Sequence, residues 1–388
     1  MAEERDRATP GEHRRRLTLR RPHHDPRDED MPRVHITREQ KVALVIFTLS
    51  AIAFLYFVLP KLAGLKQTWH RVERGKPGWL ALGAGFEVCS FVGYVVLFRC
   101  VFVRRERESP IGWRASYEIT MAGLAATRLF AAGGAGGVAL TAWALRRAGM
   151  AARIVACRMV AFNILLYTVY MGSLVIAGVG LQIGLFPGGG SFAITMIPAI
   201  FGVVALAVVY GVALRPRHAE RVSRRLAPEP RGTRGPGRLH RLLVRIASVP
   251  ALIRSGSETA VELARARDPG LLGAPAWWGF DILTLWASFH AFGHPPPLTV
   301  IWMAYFVGMF ANLLPIPGGI GGVDGGMIGA LLAFGVHADL AVVSVLVYRG
   351  FAFWLPTAPG AVAYLQLRRT VRRWREQGLS VETAPAPA

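Results

Sequence analysis

The sequence predicts an all-α polytopic membrane protein built as an inverted-topology repeat. It predicts about six full crossings and two glycine-rich re-entrant hairpins. The chain of 388 residues is 53% hydrophobic and only 18% charged, which is too apolar for an ordinary soluble domain. Several apolar runs approach the ~20 residues that a helix needs to cross a bilayer. A glycine-rich break at 133–138 is repeated at 318–323, and paired breaks in two halves are typical of transporters.

The elements follow in order along the chain. The composition of the first residues predicts a disordered cytoplasmic tail over 1–40, because charged residues and Pro dominate there. A first membrane half covers 41–214, a basic linker with an amphipathic helix covers 215–270, a second membrane half covers 271–367, and a cytoplasmic tail covers 368–388. The predicted membrane segments are the apolar runs at about 42–60, 78–102, 116–131, 154–180, 192–214, 275–293, 298–314 and 339–366.

Basic residues at the ends of these runs set the predicted orientation. The net charge of +21 lies mostly in Arg-rich segments beside apolar runs, which indicates cytoplasmic loops and not a nucleic-acid partner. Both termini and the linker at 215–245 are therefore expected inside. The loops at 181–191 and 294–297 carry no Lys or Arg and are expected outside. The loop at 61–77 is also expected outside although it is basic, so its side stays open.

This orientation requires two hairpins that enter the membrane from opposite sides. Residues 115–147 begin and end inside, whereas residues 298–335 begin outside. Pro315 and Pro317 stand beside the glycines of the second break and disfavour a continuous helix. Broken backbone at membrane depth is tolerated where it is buried in protein or lines a cavity. The two breaks are therefore expected near a binding site.

Charged residues within the apolar runs are the main candidates for that site, because intramembrane charge is costly. Asp324 directly follows the second break, either as a helix cap or as a functional carboxylate. Arg349 lies about ten residues, or roughly 15 Å, into a run and needs Asp324, Glu87 or a lipid phosphate as partner. Arg128 precedes the first break. Arg158 either binds substrate or extends to the interface.

Backbone groups at the breaks could bind an anion without any side chain. Successive N–H groups and a helix N-terminus attract phosphate, whereas close helix packing is the alternative role. Asp281 is expected at the cytoplasmic interface. The candidate glycines are Gly133, Gly134, Gly136, Gly137, Gly318, Gly319, Gly321 and Gly322.

Motifs for soluble catalysis are missing from the sequence. There is no GxxxxGK[ST] and no HExxH, and no spacing typical of metal ligands, so neither a cofactor nor a metal is expected. Cys89, Cys100 and Cys157 form no CxxC pair and are expected to be inert packing residues. About 20 residues follow the last apolar run, too few for a soluble catalytic domain. The chain is therefore not expected to be an enzyme.

Two segments resemble the flippase-like family named for the membrane region of lysylphosphatidylglycerol synthases. They are NLLPIPGGIGGVD at 312–324 and YRGFAFWLP at 348–356, and the resemblance covers about residues 40–368. It implies a polytopic protein that binds or moves lipids, such as aminoacylated phosphatidylglycerol or polyprenyl-linked intermediates. Asp324 stands where the family usually has Glu. The soluble synthase domain is missing, so lipid aminoacylation is not expected.

The sequence therefore predicts a lipid flippase or lipid-binding transporter of the bacterial cytoplasmic membrane. A headgroup phosphate would meet the glycine N–H groups and Arg349, while Asp324 or Glu87 holds a cationic group or a proton. A transporter of a small polar solute is the first alternative. A scaffold that uses the basic linker to hold anionic lipid or a lipid-modifying enzyme is the second. The expected partners are membrane lipids, and a homo-oligomer is compatible with the sequence.

Overall fold

A computed structural model describes residues 75–103, 110–129, 135–214, 238–313, 319 and 321–376. Every described element is helical, so the all-α class is confirmed. The predicted tail at 1–40, the first apolar run at 42–60, most of the loop at 61–77 and most of the basic linker lie outside the described residues.

The helices follow the predicted runs closely. The first half contains α1 (Pro77–Phe102), α2 (Trp113–Leu129), α3 (Ala135–Arg147), α4 (Ala152–Gln182) and α5 (Phe192–Leu214). The second part contains α6 (Arg238–Arg265), α7 (Gly273–Phe292), α8 (Leu298–Met309), α9 (Gly322–Ala333), α10 (Ala338–Arg349) and α11 (Leu355–Glu376). Short 3₁₀ turns at Pro269–Leu272 and Phe310–Leu313 precede α7 and follow α8, and a π-turn at Gly350–Trp354 joins α10 to α11.

The last apolar run differs from its prediction in two ways. The run at 339–366 is divided by the π-turn, and its second helix continues to Glu376, past the predicted membrane boundary at 367. The extension is amphipathic, since Leu367, Val371 and Trp374 are buried at the i, i+4, i+7 spacing of one helix face. Residues 368–376 are therefore part of the packed structure and not of a tail.

Four helical segments of the described chain are long and apolar enough to cross a membrane. They are Pro77–Phe102, Ala152–Gln182, Phe192–Gly211 and Ala338–Glu376. Their outer faces carry large apolar side chains, such as Val92 on α1 with 56% and Val203 on α5 with 52% of the side chain exposed. Contiguous apolar faces of this kind are stable against lipid and not against water. The protein is therefore embedded in a membrane.

Helices α1 and α7 form the most extensive helix pair at the centre of the protein. Glycines allow their backbones to approach: a Cβ atom on Gly273 would lie 2.4 Å from the Gly93 carbonyl oxygen. Small residues at such crossings are typical of membrane helix pairs, because association there depends on close packing. This close approach lies at the first residue of α7, and the two helices remain in contact as far as Gly83 and Ala287.

The helix contacts of the first half recur in the second. In the first half α1 contacts α2 and α4, and α3 contacts α2 and α4. In the second half α7 contacts α8 and α10, and α9 contacts α8 and α10. The halves also exchange contacts, because α2 packs on α11 while α8 packs on α4. The amphipathic α6 packs against α4 and α5.

Candidate functional site

Asp324 is a fully buried carboxylate at the start of α9. The backbone turns at Gly321, which has φ of +83°, a value that glycine adopts readily. The Gly321 N–H donates to Asp324 Oδ2 at 2.8 Å, and Asp324 Oδ1 lies 2.6 Å from Arg349 Nε. Asp324 therefore caps the helix and pairs with an arginine at the same time.

Arg349 is the last residue of α10 and directly precedes the π-turn. Its side chain is only 11% exposed, and its guanidinium lies 5.9 Å from the centre of the Phe353 ring. π-turns within helices are rare and occur often at functional sites. Of the three partners that the sequence left open for Arg349, the structure shows Asp324, beside the second glycine break.

Glu87 on α1 faces Asp281 on α7. Their side chains are 1% and 6% exposed, and their carboxyl groups lie within hydrogen-bonding reach of each other. The hydroxyl groups of Tyr305 and Tyr348 both donate to Asp281 Oδ2, the second at 3.1 Å. The prediction that Asp281 lies at the interface is wrong, because α7 presents this face to α1 and α8.

Arg128 on α2 lies near the Glu87–Asp281 pair and near Arg349. Its Nη1 donates to the Phe353 carbonyl oxygen at 3.5 Å, and its guanidinium lies 5.9 Å from the centre of the Phe91 ring. It lies within electrostatic range of both Glu87 and Asp281. We define the buried charge cluster as Glu87, Arg128, Asp281, Asp324 and Arg349, together with Tyr305 and Tyr348.

Arg158 does not belong to this cluster. It lies on α4 and donates from Nη1 to the carbonyl oxygen of Phe102 at 3.0 Å. Phe102 is the last residue of α1, where carbonyl groups lack helical partners and a basic side chain can satisfy them. At 1.5 Å per residue this position is roughly 22 Å along α1 from Glu87. Arg158 therefore stabilises a helix end in this structure.

Two of the four candidate glycines of the first break lie within the described residues. Gly136 and Gly137 lie inside α3, which begins at Ala135 and so includes part of the break that the sequence indicated at 133–138. A Cβ atom on Gly137 would lie 2.0 Å from Thr127 Oγ1 and 2.4 Å from the Gly123 carbonyl oxygen, so it permits α2 and α3 to pack closely. Gly133 and Gly134 lie outside the described residues.

The described glycines of the second break are Gly319, Gly321 and Gly322. Gly319 and Gly321 both have positive φ, and Gly322 is the first residue of α9. The Asp324 carboxylate, however, already accepts from the Gly321 N–H. One of the backbone N–H groups that the sequence suggested for a phosphate is therefore bonded to Asp324 in this structure. Gly318 lies outside the described residues.

Asp281 and the two tyrosines are the cluster members that the sequence prediction missed. A repeated motif contained a usable signal, since Gly85-Phe86-Glu87 on α1 matches Gly279-Phe280-Asp281 on α7. The two phenylalanine rings lie with centroids 6.1 Å apart, so the two copies of the motif meet in space. Comparing the acids of the two halves would have identified Asp281 as the counterpart of Glu87.

A second repeated motif relates the two candidate arginines of α4 and α10. Arg158 is followed by Ala161 and Phe162, and Arg349 is followed at the same spacing by Ala352 and Phe353. The halves thus share three motifs in the same order: Gly-Phe-acid, the glycine break and Arg-x-x-Ala-Phe. The equivalent arginines have different partners, because Arg349 meets a carboxylate and Arg158 meets a backbone carbonyl.

An apolar groove of about 1010 Å³ runs between α1, α2, the π-turn and α11. Phe91 lines this groove and also contacts Arg128, so one wall separates the groove from the buried charge cluster. Trp113 and Arg114 line the same groove, and the guanidinium of Arg99 lies 4.2 Å from the centre of the Trp113 ring. The groove therefore has apolar walls and basic groups beside it.

These features define an α-helical membrane protein with a charged core beside an apolar groove. The chain belongs to the family described as the lysylphosphatidylglycerol synthase TM region, whose model matches residues 41–360. It is similar to UPF0104 membrane proteins of Methanothermobacter thermautotrophicus. One is 31% identical over 109 residues, which is 28% of this chain and 31% of the relative. Another is 33% identical over 86 residues, 22% and 26% of the two chains. No solved structure matches.

Proposed function

We propose that the protein is a flippase or lipid-binding transporter that moves a phosphate-bearing lipid between the leaflets of a bacterial cytoplasmic membrane. The observation that carries this proposal is the apolar groove beside the buried charge cluster. Acyl chains require an apolar surface that opens toward the bilayer, whereas a headgroup requires fixed charge to replace its water. Phe91 lies between the apolar groove and the buried charge cluster, because it lines the groove and its ring lies beside the Arg128 guanidinium.

The basic groups near the groove suit a phosphate. Arg99 and Arg114 lie beside Trp113, and tryptophan is enriched at the depth of lipid headgroups. Arg128 lies behind Phe91, deeper along the same helices. The planar fork of arginine binds two phosphate oxygens at once. A headgroup entering at Arg99 and Arg114 would next meet Arg128.

The second glycine break supplies a further phosphate position. Asp324 accepts from the Gly321 N–H and pairs with Arg349, so its carboxylate occupies the place where a phosphate oxygen would bind. A lipid phosphate would displace Asp324 from these two donors. The displaced carboxylate would then be available for a cationic headgroup, as in an aminoacylated lipid.

The architecture suits alternating access from the two sides. The shared motifs and the reciprocal helix contacts favour an inverted repeat with cytoplasmic termini. Helices α2, α3, α8 and α9 have 17, 13, 12 and 12 residues, so at 1.5 Å per residue each is shorter than the ~30 Å hydrocarbon core. This favours two re-entrant hairpins, α2–α3 and α8–α9, and about six full crossings.

The family supports a lipid substrate, because its description names the membrane region of enzymes that make an aminoacylated phospholipid. We infer that this chain transports and does not catalyse, with membrane lipids as its partners. A transporter of small polar solutes would need the charge cluster but not the apolar groove. The groove is therefore the feature that separates the two functions.

Blocking the groove tests the proposal. Val92 lines the groove on α1, and Val92→Trp would fill part of it from a position that is 56% exposed. Val203→Trp is the matched control, since Val203 is 52% exposed on α5 and does not line the groove. Proteoliposomes containing each variant are assayed for translocation of headgroup-labelled phosphatidylglycerol, lysylphosphatidylglycerol and a polyprenyl phosphate.

We expect Val92→Trp to slow translocation of at least one of these lipids by tenfold or more, on the order of the 1.4 kcal/mol that a tenfold change represents. Val203→Trp should leave the rate unchanged. Equal rates for wild type, Val92→Trp and empty liposomes with all three lipids would refute lipid transport by this groove. Native mass spectrometry of co-purified lipids identifies the substrate class independently.

A further inference from the structure

The carboxyl groups of Glu87 and Asp281 form a pair of acids in the middle of the protein. Both are more than nine-tenths buried, and they lie within hydrogen-bonding reach of each other. One oxygen of each, Glu87 Oε2 and Asp281 Oδ1, is buried and has no hydrogen-bond donor among the described residues. A buried carboxylate oxygen without a donor is costly. The hydrogen bonding of the two carboxyl groups is therefore incomplete without a further hydrogen atom.

Apart from arginines, the polar side chains that face this pair come from three helices, and none of them donates to Glu87 Oε2 or Asp281 Oδ1. Tyr305 from α8 and Tyr348 from α10 both donate to the other oxygen of Asp281. Thr284 from α7 lies beside Glu87, but its hydroxyl is directed at the carbonyl oxygens of residues 83 and 280.

Arg128 and Arg349 are the two arginines of the buried charge cluster around the acid pair. Arg128 from α2 lies within electrostatic range of both acids and forms no ion pair with a described carboxylate. Arg349 from α10 pairs with Asp324. The buried charge cluster therefore contains three carboxyl groups and two guanidinium groups, which leaves one negative charge in excess if all of them are ionised.

A single proton would satisfy the two carboxyl oxygens that have no donor and would remove the excess negative charge. Two carboxylates in contact repel each other strongly, and one of them holds its proton in such pairs. A proton between Glu87 Oε2 and Asp281 Oδ1 would give each oxygen a hydrogen-bond partner. It would also make the described cluster electrically neutral, which is the state that a low-dielectric interior favours.

We propose that Glu87 and Asp281 together form a proton-binding site that holds one shared proton in this conformation. The two acids belong to the two copies of the Gly-Phe-acid motif and meet where α1 crosses α7. A displacement of one half relative to the other would separate them, and the proton would leave one acid for water. The site goes beyond the proposed lipid transport, because it gives the protein an ion that a conformational change could bind or release.

Infrared spectroscopy of the full-length protein in lipid nanodiscs tests this proposal without any transport. A protonated carboxylic acid gives a carbonyl band that is separate from the bands of carboxylates and shifts in D₂O. We expect wild type to show one such band near neutral pH. Glu87→Gln and Asp281→Asn should each abolish it, because the remaining carboxylate is balanced by Arg128.

Two further variants sharpen the test. Arg128→Met removes the balancing charge, so both acids should be protonated and the band should grow about twofold. Glu118→Gln is the matched control, since Glu118 is a buried carboxylate that pairs with Arg114 at 3.0 Å and accepts from Thr370 at 2.6 Å. The band should be unchanged in this variant.

The proposal would be overturned by a wild-type spectrum without a protonated carboxyl band near neutral pH. It would also be overturned by a band that persists in both Glu87→Gln and Asp281→Asn. The wild-type measurement remains decisive even if one variant fails to fold. Neither result depends on lipid movement, so the outcome is separate from that of the groove experiment.

Discussion

Asp324 satisfies two different donors with one carboxylate. Its Oδ2 accepts from the Gly321 N–H, and its Oδ1 pairs with Arg349. The short side chain suits this position, because a donor three residues earlier on the backbone lies close to it. A buried charge that loses its partner costs about 3–5 kcal/mol. Asp324 and Arg349 therefore depend on each other for stability in this state.

A double-mutant cycle should detect this dependence. We expect Asp324→Asn and Arg349→Gln each to lower the free energy of unfolding in detergent micelles, and the double variant to lose less than the sum. The coupling should be on the order of 1–3 kcal/mol. The pair Arg372 and Glu376 is the control, since its side chains are 75% and 64% exposed and surface pairs contribute about 0.2–1 kcal/mol at most. Additive effects of the two buried substitutions would contradict a coupled pair.

At the scale of elements, the crossing of α1 and α7 determines which side chains meet in the core. Gly93 and Gly273 let the two backbones touch, and Glu87 then lies opposite Asp281. The π-turn after α10 acts similarly, because it places the Phe353 carbonyl where Arg128 can donate to it. Local backbone geometry thus sets the positions of the charged groups.

Alanine substitutions should separate close packing from helix propensity. A Cβ atom on Gly93 would lie 2.9 Å from Ala276 Cβ and 2.9 Å from the Trp277 backbone nitrogen, whereas Gly85 on the same helix has nothing within 4 Å. We expect Gly93→Ala to destabilise the protein by about 1–3 kcal/mol. Gly85→Ala should be neutral or stabilise it by up to about 1 kcal/mol. Chemical denaturation in micelles measures both, and equal effects would show that the crossing tolerates a wider separation.

At the scale of the whole molecule, the two halves have the same pattern of internal contacts. Each half has a long central helix, α1 or α7, followed by a short helix pair, and each pair packs on the opposite half. This exchange joins the halves into one structure. A movement of either short pair would therefore displace the helix of the other half that it contacts, α11 or α4.

Cysteine labelling tests the orientation that loop charge predicts. In a variant whose three native cysteines are replaced, Ser191→Cys lies in the loop expected outside and Ala266→Cys lies before α7, expected inside. Both positions are exposed. A membrane-impermeant maleimide should label Ser191→Cys in intact cells and Ala266→Cys only after permeabilisation. A permeant maleimide is the control for reactivity, and labelling of both positions from one side would contradict the orientation.

The sequence predicted the helical elements well because apolar periodicity and charged ends are local properties. Helix α5 (Phe192–Leu214) matches its predicted run, and α7 differs by two residues at its start. The need of Arg349 for a partner also followed from a local rule, since a charge deep in a membrane needs one, but the sequence left Asp324, Glu87 and a lipid phosphate open. The π-turn at Gly350–Trp354 could not be predicted from a local rule, because its residues are compatible with an ordinary helix.

The sequence by itself determined that the chain is a helical membrane protein and which of its charged residues lie within apolar runs. Only the tertiary structure decided which of these residues meet. Asp281 is the clearest case. The residues next to it in sequence do not decide between the membrane interface and the protein core, and the close approach of α1 at Gly93 places it against Glu87. Contacts between residues 194 positions apart depend on how helices cross, and crossing geometry arises from packing over whole helix faces.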